Sequence, residues 1–154
     1  MSMELIIFSD KQLGSVQEWQ AAIDAEGFPL RLSADVIFDR ISGFFPMHLR
    51  GELTGFECYH EDPDEIIAMN PDLGIDHPWK FALAFRWLGS KWNEFIAAWM
   101  AATAYIRATD GIIIDGEDLK FYTAAQARAV VDDNESPATL ARLQAIRDEL
   151  RRKE

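Results

Sequence analysis

Two neighbouring stretches decide the fold: Lys80-Phe-Ala-Leu-Ala-Phe-Arg-Trp87 and Phe95-Ile-Ala-Ala-Trp-Met-Ala-Ala-Thr-Ala-Tyr-Ile106. In the first, Phe81, Leu83, Phe85 and Trp87 alternate with Lys80, Ala82, Ala84 and Arg86. A period of two sends the aromatics to one side and the small or charged residues to the other, which predicts a half-buried strand. The second runs twelve residues without a charge and contains five alanines. A helix apolar on nearly every side is buried on nearly every side, and this one is too short to span a bilayer. Strand followed by buried helix therefore predicts a helix over about 91–108, laid on a sheet through small side chains.

Working outward, the flanks supply further strands and helices. Met3–Phe8 and Leu30–Leu32 read as strands. Ser15-Val-Gln-Glu18 has the capping-box pattern, with Val16, Trp19 and Ile23 on one helical face and Gly27 beyond its end. Ile37 and Ile41 suggest a short helix over 34–42. Met47–His60 reads as strand, but Leu49 and Leu53 share one face while Phe56 and Cys58 take the other. A strand changes faces only through a bulge or turn, so a hairpin at Thr54-Gly55 or a bulge at Gly55 is expected. Asp62-Pro63-Asp64-Glu65 opens another helix. Ser90 is read as the cap of the central helix. Gly111–Ile114 and Leu119–Tyr122 flank an Asp115-Gly turn, a hairpin signal. Thr123-Ala-Ala-Gln126 and Ser136-Pro137 open two C-terminal helices.

Such mixing of strands and helices, with hairpins, defines an α+β chain with an antiparallel or mixed sheet. A ferredoxin-like core with additions is the expected topology. The 154 residues form one domain over 1–154, without repeat, low-complexity segment or linker. The last helix, about 137–152, carries Leu140, Leu143, Ile146 and Leu150 on one face, to dock on its own domain or to form a dimer.

Charge is unevenly spread. The chain holds 15 basic and 26 acidic residues, for a net charge of −11, and all of that surplus lies in residues 1–77. From Gly51 to Trp79 there is no Lys or Arg, and there are eight acids: Glu52, Glu57, Glu61, Asp62, Asp64, Glu65, Asp72 and Asp76. Phosphate backbones and anionic membrane surfaces repel such a segment, whereas a basic protein surface is attracted to it. Asp62, Asp64 and Glu65 are already used in building a helix start. Glu52, Glu57, Glu61, Asp72 and Asp76 remain as candidate partner-binding charges, with the loop aromatics Phe44, Phe45 and Trp79.

The chemistry-bearing cluster is Glu57, Cys58, Tyr59, His60 and Glu61. His60 with Glu57 and Glu61 would be the catalytic and metal-ligating set of a small metal-assisted hydrolase. The strand alternation argues against it, because Glu57 and Tyr59 share one face and Cys58 and His60 the other. His48 and His77 add no zinc spacing. The sequence contains no phosphate-binding glycine loop, Cys-x-x-Cys pair, His-Glu-x-x-His or Gly-x-Ser-x-Gly motif. No cofactor is expected. With one cysteine and a start lacking a basic, apolar leader, a cytoplasmic location is expected.

The segment Trp92–Phe121, with its Ala-rich helix, Thr-Asp-Gly break, Ile-rich strand and Asp-Gly turn, resembles small uncharacterised bacterial α+β proteins, some of them immunity proteins carried beside toxins. The resemblance covers about a fifth of the chain and carries over no site residue. Together with the charge it implies a non-catalytic acidic module that binds a basic protein partner, by immunity-type neutralisation. The hydrolase is one alternative; a homodimeric ligand-binding regulatory domain, resting on the loop aromatics and the last helix, is the other. The oligomeric state expected is monomer or homodimer.

Overall fold

A computed structural model describes residues 2–153. The chain runs β1 (Ser2–Ser9), α1 (Val16–Glu26), β2 (Leu30–Leu32), β3 (Ser42–Leu49), β4 (Glu52–Glu61), α2 (Pro63–Met69), β5 (Phe81–Leu88), α3 (Trp92–Thr109), β6 (Ile112–Asp115), β7 (Phe121–Tyr122), α4 (Ala124–Asn134) and α5 (Pro137–Arg152). Single 3-10 turns lie at Phe38–Arg40 and Pro71–Leu73. The strands form one antiparallel sheet in the order β2-β3-β4-β5-β1-β6-β7. The α+β class stands. The seven-strand order is larger than the ferredoxin-like core expected from sequence.

The alternation in β5 places Leu83, Phe85 and Trp87 beneath the helices, where they are buried. Leu5 and Ile7 of β1, Phe56 and Cys58 of β4, and Ile113 of β6 join them. Over this inner face lies α3, with Ala97, Ala98, Ala101, Ala102 and Ala104 essentially inaccessible. Their lack of bulk lets α3 approach the sheet on one side and α1 and α4 on the others. Trp19 of α1 fills the centre. Its ring meets Phe38, Phe45, Phe85 and Tyr105 at centroid distances of 5.3–5.9 Å, and its Nε1 donates to the Ala101 carbonyl at 3.0 Å.

The outer face is covered only in part. Ile66 and Ile67 of α2, with Leu73, Ile75 and Trp79 of the following loop, pack on Phe8, Ala82 and Ile114. The middle of β5 is therefore buried on both faces, not half-buried. The outer face of β3, β4 and the last part of β5 stays open.

The β3–β4 connection corrects the sequence reading. The chain turns at Arg50 (φ 50°) and Gly51 (φ 82°), the two left-handed positions of a tight hairpin whose twist matches that of its strands. Register then runs unbroken from Leu49↔Glu52 through Pro46↔Gly55 to Ser42↔Tyr59. There is no turn or bulge at Gly55. The apparent change of face arises because Leu49 points inward before the turn and Leu53 points outward after it, 71% exposed. The expected helix over 34–42 shrinks to the single turn at Phe38–Arg40, with Ile41 buried and Ile37 exposed, so the two isoleucines share no face. Lys91, not Ser90, is the first boundary residue of α3, and it makes no side-chain cap.

Four other helix starts form where read, although the box at Ser15 is not closed, because Glu18 Oε2 accepts from Gly14 N at 2.7 Å instead. Ser15, Asp62, Thr123 and Ser136 each accept a backbone N–H in the first turn. At Thr123 the box is reciprocal: Thr123 Oγ1 accepts from Gln126 N, and Gln126 Oε1 accepts from Thr123 N. Thr123→Ala is expected to cost about 1 kcal/mol and Thr123→Ser almost nothing, read from chemical denaturation midpoints at unchanged slope.

The β2 edge is closed by a side chain. Gln20 of α1 accepts from Leu32 N through Oε1 at 2.7 Å and donates through Nε2 to the Leu30 carbonyl at 2.9 Å. A primary amide thus takes the donor and acceptor that a further strand would take.

Candidate functional site: the open outer face

Because β4, β5 and β1 are neighbours, Glu57, Arg86 and Glu4 fall in one cross-strand row. Arg86 Nε donates to Glu4 Oε2 at 2.6 Å, and Arg86 Nη2 lies 3.8 Å from Glu61 Oε1. The guanidinium sits 5.2 Å from the Tyr59 ring centre, and Tyr59 Oη donates to Glu57 Oε1 at 2.5 Å. Two carboxylates, Glu4 and Glu61, thus hold one guanidinium, with Glu57 opposite Arg86 in the register, so the patch keeps a negative surplus. In water such pairs contribute about 0–1 kcal/mol each, so the cluster shapes the surface more than it stabilises the fold.

Two proton affinities follow from this geometry. Glu57, by accepting the Tyr59 hydroxyl proton, raises the phenol above its ordinary value. The Glu4 carboxylate raises Arg86 likewise. In Glu57→Gln the Tyr59 phenol is expected to ionise at lower pH than in the parent, as one tyrosine shifted in a spectrophotometric titration; an unchanged curve would mean the contact is absent in solution.

Beside this row, Phe44, Glu57, Arg86, Leu88 and Glu94 line a cleft of about 300 Å³. The base-free segment lies on the same side. Glu57 and Glu61 are on the outer face of β4, Asp62, Asp64 and Glu65 on α2, and Asp72 and Asp76 on the loop that Trp79 anchors. Trp79 is half-buried, stacked on Phe8 at 6.3 Å and against His77 at 4.3 Å. Two of the eight candidate partner-binding residues stand apart. Glu52 is on the helical side, accepting from Asn93 Nδ2 at 2.9 Å. Phe45 is core, in contact with Trp19 and Phe56, and offers no surface.

The sequence candidates for catalysis do not converge. His60 points to the helical side, where its Nε2 donates to the Phe38 carbonyl at 2.8 Å and its ring stands edge-on to Phe38. Glu57 and Glu61 are on the opposite face, so the His60–Glu57–Glu61 set of a metal-assisted hydrolase is split by the sheet. Among the described residues no three His, Cys, Asp or Glu side chains are placed to hold a metal ion. Cys58 is buried, and burial pushes its thiol far above the range in which a nucleophilic thiolate forms. The close His–carboxylate pair is one the sequence did not suggest: His77 Nε2 to Asp10 Oδ2, 2.6 Å, across 67 positions.

Fold and site together define an α+β protein with a covered inner face and a partly open, acidic outer face. No helix among the described residues is long and apolar enough to cross a membrane. No family model, curated protein or solved structure matches this chain.

Proposed function

We propose that this protein is a non-catalytic acidic module that binds a basic protein partner, as immunity-type neutralisers do. One observation carries the reading. Seven of the eight carboxylates in the base-free segment lie on one side of the sheet, and among the described residues only Glu61 of the eight is within 4.0 Å of a basic group. Apart from Asp62, Asp64 and Glu65, which serve the start of α2, carboxylates gathered on one side without basic partners contribute little to stability and much to attraction. Complementary charge speeds encounter and selects the partner, and salt weakens it over distances beyond about 8 Å. Phe44, 59% exposed beside Glu57, supplies an apolar contact at the edge of the acidic surface.

The test uses two variants of equal charge. Asp64→Asn/Glu65→Gln/Asp72→Asn/Asp76→Asn removes charge from the acidic side; Glu117→Gln/Asp118→Asn/Asp148→Asn/Glu149→Gln removes it elsewhere. Immobilised parent protein is expected to retain a basic protein from a lysate of the source cells at low salt and release it at high salt. The first variant should lose that protein and the second keep it. Equal retention by both variants, or no basic protein on the parent, overturns the reading.

A further inference from the structure

The last helix is charged opposite to the rest of the chain. Residues 137–153 carry five basic and two acidic side chains, whereas residues 1–136 carry ten basic and twenty-three acidic. Its apolar stripe is also largely unused. Leu140, Ile146 and Leu150 are exposed, and only Leu143 is half-buried. Between α5 and the body runs an open groove of about 560 Å³, lined by Phe44 and Leu53 of the outer sheet face, Trp92 of α3, and Leu143 and Ile146. Six of the ten large apolar side chains that the described fold leaves exposed belong to this helix or to the sheet positions beside it: Leu140, Ile146, Leu150, Phe44, Leu53 and Leu88. Contiguous exposed apolar surface rimmed by charge marks an interaction site.

We propose that a second copy of this chain covers it, the α5 helix of each copy lying in the groove of the other. The groove itself, with Lys91, Glu94 and Arg147 as its charged lining, fits an apolar stripe, and the acidic cleft adjoining it fits a basic end; α5 carries both. Ile146 and Leu150 would meet Phe44 and Leu53. Arg151, Arg152 and Lys153 would meet Glu57 and Glu94 in the opposite copy, which line the cleft adjoining the groove. An isologous contact uses both elements twice and closes at two copies. The two bodies repel as a whole, but at physiological salt that repulsion is screened beyond about 8 Å, while the helix-to-face pairs form in contact. The inference needs no other protein; it takes Phe44 and Glu57 into the contact between copies and leaves the carboxylates of α2 and the following loop to the partner proposed above.

Sedimentation equilibrium of the purified full chain is the test. Twice the 17.5 kDa chain mass is expected. Ile146→Asp/Leu150→Asp should return the mass to one chain, and so should Phe44→Asp on the other side of the contact. These side chains are exposed, so an unchanged circular dichroism spectrum with a cooperative melting transition will show that the fold is intact, while the melting temperature falls with loss of the dimer. Arg151→Glu/Arg152→Glu should weaken the dimer by at least about tenfold, because the isologous contact makes each lost charge pair twice, and adding Glu57→Lys should strengthen it again. A single-chain mass at the highest soluble concentration overturns the proposal, as does a dimer indifferent to all of these substitutions.

Discussion

Trp19→Ala is expected to lower the free energy of unfolding by about 3–5 kcal/mol, a large part of the roughly 5–15 kcal/mol that a domain possesses. The indole is wholly inaccessible and touches four aromatic rings contributed by the Phe38 turn, β3, β5 and α3. It therefore joins elements that no backbone ladder joins. Truncation leaves a cavity that the sheet and the alanine-lined helix are too rigid to fill. Trp19→Phe separates two contributions: it keeps a ring but deletes the Nε1 donor to Ala101, and should cost less than the alanine variant. Urea denaturation measures both. A loss below about 1 kcal/mol for Trp19→Ala would contradict its central position.

Gly55→Ala is the second large effect. The residue sits at φ +155° in the middle of β4, and a Cβ there would lie 2.2 Å from the Phe45 carbonyl oxygen and 2.7 Å from Phe44 Cζ. The Phe44 ring can swing away; the Phe45 carbonyl is backbone in a continuous ladder and cannot. Strain and overlap together are expected to cost about 2–4 kcal/mol. Gly43→Ala is the matched control, at φ +124° with open space around the added carbon. It carries the conformational cost without the collision, so the difference in their denaturation midpoints reports the collision. Equal losses would show that the Phe45 carbonyl yields.

These two positions also mark what the sequence could and could not reveal. Trp19 was readable, because a capping box and an i, i+3, i+7 apolar row need only eleven consecutive residues to declare a buried helical face. The four side-chain caps and the buried helix were readable for the same reason: their physics is local. Gly55 is not legible locally, because its requirement is set by Phe44 and Phe45 on the facing strand, and because Arg50, an unusual occupant of a left-handed turn position, hides the hairpin.

The site shows the same division. Alternation alone separated His60 from Glu57, and the structure keeps them on opposite faces. That Arg86 meets Glu4, 82 positions away, depends on β1 pairing with β5, which no local pattern announces. The acidity of residues 51–79 was plain, but its placement on one side came from α2 and the Trp79 loop folding back over Phe8. Phe45 could not be told from Phe44 until the register assigned one to each face.

The Gln20 closure of the β2 edge has a consequence for the ageing of this protein. Its amide matches both the Leu32 donor and the Leu30 acceptor. Deamidation to glutamate would retain the first match and set a carboxylate oxygen against the Leu30 carbonyl in the second. The hydrolysis of one side-chain amide, adding a single negative charge, would thus leave the Leu30 carbonyl, one of the edge groups through which extended chains recruit one another, without its donor.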